Sequence, residues 1–173
     1  MSANRQPLPP ETPTRRLVIG VGNGYRRDDG VGVKAARRLR ESRADLTVVE
    51  ASGEGGALLS LWRPVDQVVL IDAVRAGSQP GKVHRFDAHR QSIPSDFFSY
   101  STHQFSVAEA VEMARALGTL PRRLIVYGIE GKCFAGGTGL SPEVDASVQN
   151  VLERIAGEFQ SGVMIRETEE AHA

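Results

Sequence analysis

Short hydrophobic runs along this chain alternate with longer stretches in which hydrophobic residues recur every three or four positions. The runs are typical of strands buried in a parallel sheet, and the longer stretches are typical of amphipathic helices. Because strands and helices largely alternate, the pattern predicts a three-layer α/β fold, in which helices flank a mostly parallel sheet of about five strands. The predicted strands are Arg16–Gly22, Leu46–Glu50, Gln67–Val74, Lys82–Phe86 and Arg122–Glu130, and the predicted helices are Gly30–Glu41, Ala57–Trp62, His103–Leu117 and Leu140–Phe159.

For three of these elements the sequence also predicts a position in the sheet or a capping residue. Gln67–Val74 is the most hydrophobic strand, so we expect it near the centre of the sheet. Lys82–Phe86 alternates hydrophobic and polar residues, which is typical of a half-exposed strand at an edge. The helix that opens at His103 has Ser101 or Thr102 available as its N-cap.

Length and local composition predict one folded domain between two tails. The chain has 173 residues, enough for one ordinary domain with a substantial core. Residues 1–14 are rich in proline and polar residues, which predicts a flexible N-terminal tail. We expect a single α/β domain over residues 15–159 and a C-terminal tail over residues 160–173.

Charge and composition narrow the classes of function. Lys and Arg number 21, as do Asp and Glu, so no excess charge favours a nucleic acid or a membrane surface as the partner. No hydrophobic run approaches the roughly 20 residues that span a bilayer, and the N-terminus lacks the hydrophobic core of a signal peptide. The single cysteine, Cys133, excludes an internal disulfide and fits a reducing cytoplasm. We therefore expect a cytoplasmic protein, and a monomer because no hydrophobic stripe is left unassigned.

Acidic residues and one histidine fall where the predicted parallel strands end. Asp28 and Asp29 follow the first strand, Glu50 ends the second, Asp72 lies near the end of the third, and His103 opens the long helix. In open α/β sheets the ligand site lies beyond the C-terminal ends of the strands, so we expect these side chains on one rim. Carboxylates and a neutral imidazole together coordinate borderline divalent cations. The pattern therefore predicts a metal site at this rim.

Each of these residues also has a purely structural interpretation. Asp72 directly follows the run Val-Val-Leu-Ile, where a carboxylate is costly to bury unless it is paired, binds a metal or accepts hydrogen bonds from loop amides. His103 can satisfy a backbone group at a helix start, and Asp28 and Asp29 can favour the positive end of the next helix. The joint placement on one rim, rather than any single residue, favours the metal site.

A nucleotide-binding enzyme is an alternative from another class. Gly20 and Gly22 lie at the end of the first strand, and Glu50 stands where a ribose-binding acid would belong. The G-x-G-x-x-G fingerprint, however, needs its third glycine at Tyr25, and the two aspartates that follow would repel a pyrophosphate. The sequence also contains no P-loop motif and no G-x-S-x-G nucleophile motif.

Four segments, in order, read GVGNGYRRDDGVG, VVLIDAV, STHQFSVAEA and VYGIEGKCFAGGTGLSPEV. Together they resemble the motif blocks of the [NiFe]-hydrogenase maturation proteases, and the resemblance runs from about Arg16 to Ile155. It implies a twisted, mostly parallel sheet flanked by helices. It also implies an endopeptidase that removes a short C-terminal extension from the hydrogenase large-subunit precursor after nickel has been inserted.

By motif position, the resemblance implies that Asp29, Asp72 and His103 are the metal-binding and catalytic residues of a metal-dependent peptide hydrolase. The family often has glutamate at the first position, so Asp29 would be a shorter arm with the same charge. Ni²⁺ supplied by the precursor would complete its coordination on these residues and act as a recognition element. No organic cofactor is expected.

One block departs from the family pattern. After the second strand the family commonly has D-G-G-T-x-G, whereas this chain reads EASGEGG from Glu50 to Gly56. Glu50 remains a candidate for contacting substrate, as do Asn23 and Asp28, and Asn23 could instead hold its turn. A chaperone that binds the precursor without cutting it is a further alternative.

Overall fold

The computed structural model describes residues 13–98 and 105–160 of the chain. The strands are β1 (Arg16–Val21), β2 (Thr47–Ala51), β3 (Gln67–Val74), β4 (Val83–Asp87) and β5 (Arg123–Glu130), and the helices are α1 (Val31–Ser42), α2 (Gly55–Trp62), α3 (Val107–Ala116) and α4 (Pro142–Gln160). No helix in these ranges combines the length and the hydropathy that crossing a membrane requires. The predicted tails fall almost entirely outside these ranges, so their boundaries stay predictions.

The five strands form one sheet in the order β2-β1-β3-β5-β4. β1 pairs in parallel with β2 and β3, and β3 pairs in parallel with β5, whereas β4 runs antiparallel to β5 at the edge. The α/β fold with a mostly parallel sheet is therefore confirmed. β3 lies at the centre of the sheet and β4 at its edge, as predicted. A strand buried on both faces is continuously hydrophobic, whereas a strand buried on one face alternates hydrophobic and polar residues.

Alternate strand positions build two hydrophobic cores, one on each face of the sheet. In β1, the side chain of Ile19 packs in the core beneath α2 and α3, and that of Val18 packs in the core beneath α1 and α4. In β3, Leu70 and Val74 belong to the α2–α3 core. Since side chains alternate along a strand, Asp72 lies on the same face as these two residues, beneath α2 and α3.

Two glycines let α1 lie directly on the sheet. A Cβ atom on Gly20 would lie 2.9 Å from the carbonyl carbon of Gly32 and closer to its oxygen. A Cβ atom on Gly32 would lie 2.9 Å from the amide nitrogen of Val21. Gly20, which the nucleotide alternative would use for a ligand, therefore serves the close packing of a helix on a strand.

The third helix begins at Val107, and the prediction that His103 opens it was wrong. Its N-cap is Ser106, not Ser101 or Thr102. The Ser106 hydroxyl accepts a hydrogen bond from the amide of Glu109 at 3.5 Å, and Glu109 Oε2 accepts one from the amide of Ser106 at 2.6 Å. This reciprocal capping box satisfies the first amides of the helix, so the helix starts after Ser106.

The second helix also starts at a different residue, Gly55 instead of the predicted Ala57. The Glu54 carboxylate accepts hydrogen bonds from the amides of Gly56 at 2.9 Å and Ala57 at 2.8 Å, which brings the preceding turn into the helix. The remaining boundaries lie within about two residues of the predicted ones, the ordinary uncertainty of element ends.

Candidate active site

A cleft opens beyond the C-terminal ends of β1, β2 and β3, where the sequence predicts the site. Its volume is about 560 Å³. Four of the predicted site residues line it together: Asn23, Asp29, Glu50 and Asp72. The topology explains this gathering, because parallel strands in the order β2-β1-β3 end at the same edge of the sheet.

Asp29 stands in a 3₁₀ turn, Arg27–Gly30, that joins β1 to α1. Its Oδ2 accepts a hydrogen bond from the amide of Asn23 at 3.1 Å, which ties the turn to the segment just after β1. Gly22 makes the fold-back possible, because its φ is +141° and a Cβ atom there would lie 3.0 Å from the carbonyl carbon of Asp29. The glycine after β1 therefore places Asp29 at the cleft.

Asp72 is a largely buried carboxylate inside β3, with 9 % of the residue exposed. Its Oδ1 accepts a hydrogen bond from the amide of Ala73 at 2.8 Å, the next residue of the same strand rather than a loop amide. Burial and the nearby charge of Asp29 raise the pKa of the Asp72 carboxyl well above its ordinary value. Two carboxylates that repel each other in a partly buried cleft are stabilised by a cation, so these residues fit a divalent metal ion.

Asp28 is fully buried and holds a neighbouring loop instead of lining the cleft. Its Oδ2 accepts hydrogen bonds from the amides of Lys132 and Cys133, each at 2.8 Å, and from the Ser141 hydroxyl at 2.8 Å. Its Oδ1 accepts one from the Ser141 amide at 2.6 Å. Burial alone would raise the pKa of this carboxyl, but the hydrogen bonds outweigh burial and lower it. The expectation that both adjacent aspartates reach the rim therefore fails for Asp28.

Asn23 organises the turn between β1 and Asp29. Its side-chain Oδ1 accepts a hydrogen bond from the amide of Tyr25 at 2.9 Å, and its carbonyl accepts one from the amide of Arg26 at 3.0 Å. The first of these bonds is an Asx turn, in which the side chain replaces a backbone acceptor. Asn23 lines the cleft, but its side-chain oxygen is already used to hold the turn.

Glu50 is the last residue but one of β2, lines the cleft and is paired with two arginines of α1. Arg37 donates from Nε at 3.1 Å and from Nη2 at 2.9 Å, and Arg40 donates from Nη1 at 3.2 Å. The hydrogen bond from Arg37 is the largest of the effects that lower the pKa of the Glu50 carboxyl. Glu50 is thus held ionised at the rim, with its oxygens facing guanidinium donors instead of a ribose.

His103, the third predicted metal ligand, lies outside the described residues. Phe98 and Val107, described residues on either side of it in the sequence, both line the cleft. Within residues 13–98 and 105–160, no three His, Cys, Asp or Glu side chains are grouped so as to hold a metal ion. The metal-binding and catalytic roles of Asp29, Asp72 and His103 stay predictions.

Two features of the cleft region were not predicted from the sequence. Tyr25 lines the cleft and is exposed, although the sequence drew attention to it only as a position without glycine. The amide of Gly55 donates a hydrogen bond to the carbonyl of Phe105 at 3.1 Å, which joins the start of α2 to the residue before the α3 cap. The Glu54-Gly55-Gly56 sequence, which forms the N-cap and first residues of α2, was the available signal for this contact.

Comparison with known proteins gives one consistent result. The HycI family model, described as hydrogenase maturation protease, matches residues 32–158. The Hydrogenase 2 maturation protease of Escherichia coli (strain K12) is 28% identical over 155 residues, which cover 86% of this chain and 93% of that protein. The solved structure of the [NiFe] hydrogenase maturation protease HybD from Thermococcus kodakarensis is 27% identical, with a TM-score of 0.63 over 84% of this chain and 99% of that chain. An endopeptidase from Escherichia coli, solved in solution, is 26% identical with a TM-score of 0.73 over 87% of this chain and 94% of that chain.

Proposed function

Because this chain belongs to the hydrogenase maturation protease family, we propose that it is the endopeptidase that removes the C-terminal extension from a [NiFe]-hydrogenase large-subunit precursor. The observation that carries the proposal is the pair of carboxylates, Asp29 and Asp72, in one cleft beyond the ends of β1 and β3. Relatives named as proteases and endopeptidases support peptide-bond hydrolysis as the class of reaction.

The nickel ion of the precursor is part of the substrate in this proposal. Asp29 and Asp72 supply carboxylate oxygens, and His103 is the predicted nitrogen ligand, a donor set suited to a borderline divalent cation. Burial and then the charge of Asp29 raise the pKa of Asp72, and the repulsion between the two carboxylates is relieved when a cation lies near both. The cleft therefore favours a precursor that carries its metal, and the extension is removed only after nickel insertion.

Hydrolysis requires an activated water and a proton acceptor. A metal ion at such a site supplies Lewis acidity, which polarises a carbonyl or a water molecule. Asp29 and Asp72 are the candidates for accepting the proton of the attacking water.

The proposal is tested by the intact mass of a purified large-subunit precursor after incubation with this protein. Each [NiFe]-hydrogenase precursor of the source organism is prepared with and without nickel. Asp72→Asn is assayed in parallel, and Asp45→Asn is the control, because Asp45 is a surface residue paired with Arg43 at 2.8 Å. We expect loss of a C-terminal peptide with the wild type and with Asp45→Asn, only from the nickel-loaded precursor, and no loss with Asp72→Asn.

The other outcomes separate the alternatives. Cleavage of nickel-free precursor at the same rate would disprove the recognition role of nickel and leave the peptidase assignment intact. Binding of every precursor without any change in mass would favour the chaperone. The nucleotide-binding alternative would require saturable binding of a dinucleotide by the isolated protein.

The place of action and the oligomeric state belong to the same proposal. We place the protein in the cytoplasm, where the half-buried thiol of Cys133 would stay reduced. We also propose that it acts as a monomer, since the large exposed hydrophobic residues of the described chain are few: Tyr25, Met113 and Leu117. Sedimentation of the purified protein and of its mixture with precursor would measure both the free and the bound stoichiometry.

A further inference from the structure

Tyr25 is a large aromatic side chain exposed at the mouth of the cleft. It lines the cleft, yet 78% of the residue is accessible to solvent. Met113 and Leu117, the other large exposed hydrophobic residues of the described chain, lie on and just after α3 and do not line the cleft. An exposed hydrophobic residue is ordinary on a surface, but one at the entrance of an active-site cleft lies where a substrate must pass.

The backbone that carries Tyr25 is held on both sides. The Tyr25 amide donates to Oδ1 of Asn23 at 2.9 Å, and the Tyr25 carbonyl accepts from the amide of Gly137 at 2.9 Å. Arg27 donates its amide to the carbonyl of Gly137 at 3.0 Å and adopts a φ of +48°, a conformation uncommon for residues other than glycine. A ring on such a fixed backbone has only two side-chain torsions to lose on binding, so contact with a partner costs little entropy.

Charged residues of both signs line the cleft together with Tyr25. Arg26 and Arg37 line the same cleft, and Glu50 is already paired with Arg37 at 2.9 Å. The hydrogen bond with Glu50 raises the pKa of the Arg37 guanidinium, so the charge of Arg37 is already matched within the rim. Asp29, Glu50 and Asp72 line the cleft as well, so its charges do not select one sign of side chain to pack on the ring. An aliphatic side chain needs no counter-charge and gains from covering the ring.

We propose that Tyr25 is a specificity-determining residue that packs against an aliphatic side chain of the precursor, in the segment that flanks the scissile bond. The inference rests on the proposed function, because that function makes the precursor the occupant of the cleft. The ring contacts the substrate before and during the reaction alike. Its loss therefore weakens binding while the chemical step is retained.

The test compares four proteins on the nickel-loaded precursor: wild type, Tyr25→Ala, Tyr25→Phe and Leu117→Ala. For each, KM and kcat of processing and Kd for the uncleaved precursor are measured, and urea denaturation checks that the variant is folded. We expect Tyr25→Ala to raise KM and Kd roughly tenfold with kcat within about twofold of wild type. Tyr25→Phe should bind like wild type because it keeps the ring. Leu117→Ala removes a residue that is 64% exposed and is not part of the cleft lining, so it should change neither constant.

A second measurement identifies the contact on the substrate. Each aliphatic residue near the cut is changed to alanine in the precursor, and each variant is assayed with wild type and with Tyr25→Ala. At one position the substitution should weaken binding to the wild type but not to Tyr25→Ala, the non-additivity expected of residues in contact.

Three outcomes would overturn the inference. Unchanged KM and Kd for Tyr25→Ala, with normal cleavage, would remove Tyr25 and leave the proposed function standing. A loss in Tyr25→Phe as large as in Tyr25→Ala would show that the hydroxyl, not the ring, is recognised. Wild type that neither binds nor cleaves any precursor would overturn the proposed function and this inference together.

Discussion

Asp28 and Asp29 are consecutive residues whose carboxylates bind different parts of the fold. Asp28 is buried and accepts hydrogen bonds from Lys132, Cys133 and Ser141, whereas Asp29 lines the cleft and accepts one from Asn23. The two side chains of this turn thus have different roles. Asp28 anchors the 132–141 loop against it, and Asp29 is left for the cleft.

This difference predicts that the same substitution mainly lowers stability at Asp28 and mainly lowers activity at Asp29. In Asp28→Asn, the side-chain NH₂ would face amide donors, so we expect the free energy of unfolding to fall by about 3 kcal/mol. Asp29→Asn should cost less than about 1 kcal/mol, because that carboxylate is only partly buried, yet it should abolish processing. Urea denaturation and the intact-mass assay measure the two effects. Equal stability losses would contradict the different structural roles of the two carboxylates, and normal processing by Asp29→Asn would contradict the role of Asp29 in the site.

The contact between Gly55 and Phe105 predicts a sharp difference between two neighbouring glycines. A Cβ atom on Gly55 would lie 2.8 Å from Cγ of Phe105 and closer to two other ring carbons. Gly55→Ala must therefore displace Phe105, which directly precedes the Ser106 cap of α3, and we expect a loss of about 1 to 3 kcal/mol with slower processing.

Gly56→Ala is the matched control. Its Cβ would lie 3.0 Å from Oε1 of Glu54, the end of a flexible side chain that can move by a few tenths of an ångström. We expect a change in unfolding free energy within about 0.5 kcal/mol and normal processing. If Gly55→Ala behaves like Gly56→Ala in denaturation and in the mass assay, the Phe105 contact is not important.

Glu158 of α4 joins the helix to the sheet and predicts a dependence of stability on pH. Arg85 donates to it at 2.6 Å, the Tyr127 hydroxyl donates to it at 2.6 Å, and Arg123 also pairs with it. Burial would raise the pKa of this carboxyl, but these hydrogen bonds and charges outweigh burial and lower the pKa below its ordinary value. The stabilisation is therefore present above the ordinary pKa and is lost as the pH falls through the lowered one.

We expect Glu158→Gln to lower the free energy of unfolding by about 2 kcal/mol near neutral pH. The difference from wild type should begin to shrink as the pH falls below the ordinary glutamate pKa of about 4.3, and should vanish below the lowered pKa of the folded state. The control is Glu153→Gln, since Glu153 is exposed and hydrogen-bonds to Gln149 at 3.2 Å. Urea denaturation across this range measures both. A difference that stays constant with pH would contradict the ionic role of Glu158.

Nickel binding by the isolated protein should depend on pH through His103. An imidazole must lose its proton before it ligates a metal, so Ni²⁺ affinity is expected to fall as the pH is lowered through about 6.5. His103→Ala should bind more weakly and lose the part of this dependence that comes from the imidazole. His89→Ala is the control, because the His89 ring is hydrogen-bonded to the carbonyl of Pro121 at 2.7 Å. Calorimetry with NiCl₂ that finds equal affinity at about pH 5 and about pH 7.5 would remove His103 from the ligand set.

Hydrophobic periodicity along the chain determined most of the fold. Gln67–Val74 was predicted residue by residue as β3, because a strand buried on both faces must be continuously hydrophobic. The third helix shows the limit of this reasoning. Its hydrophobic face was evident, but its first residue depended on the Ser106–Glu109 capping box, which outweighed the serine and threonine upstream.

The sequence by itself also determined that Asp29 and Asp72 belong to one rim, because parallel strands present their C-terminal ends at one edge of the sheet. Only the tertiary structure decided that Asp28 does not join them, since its Ser141 partner is 113 residues away in the chain. It likewise decided that α1 packs directly against Gly20 and that Tyr25 is exposed on a turn whose backbone is held by hydrogen bonds. Helices and strands follow from neighbouring residues, whereas the partner of a side chain depends on which distant segments the folded backbone brings within hydrogen-bonding distance.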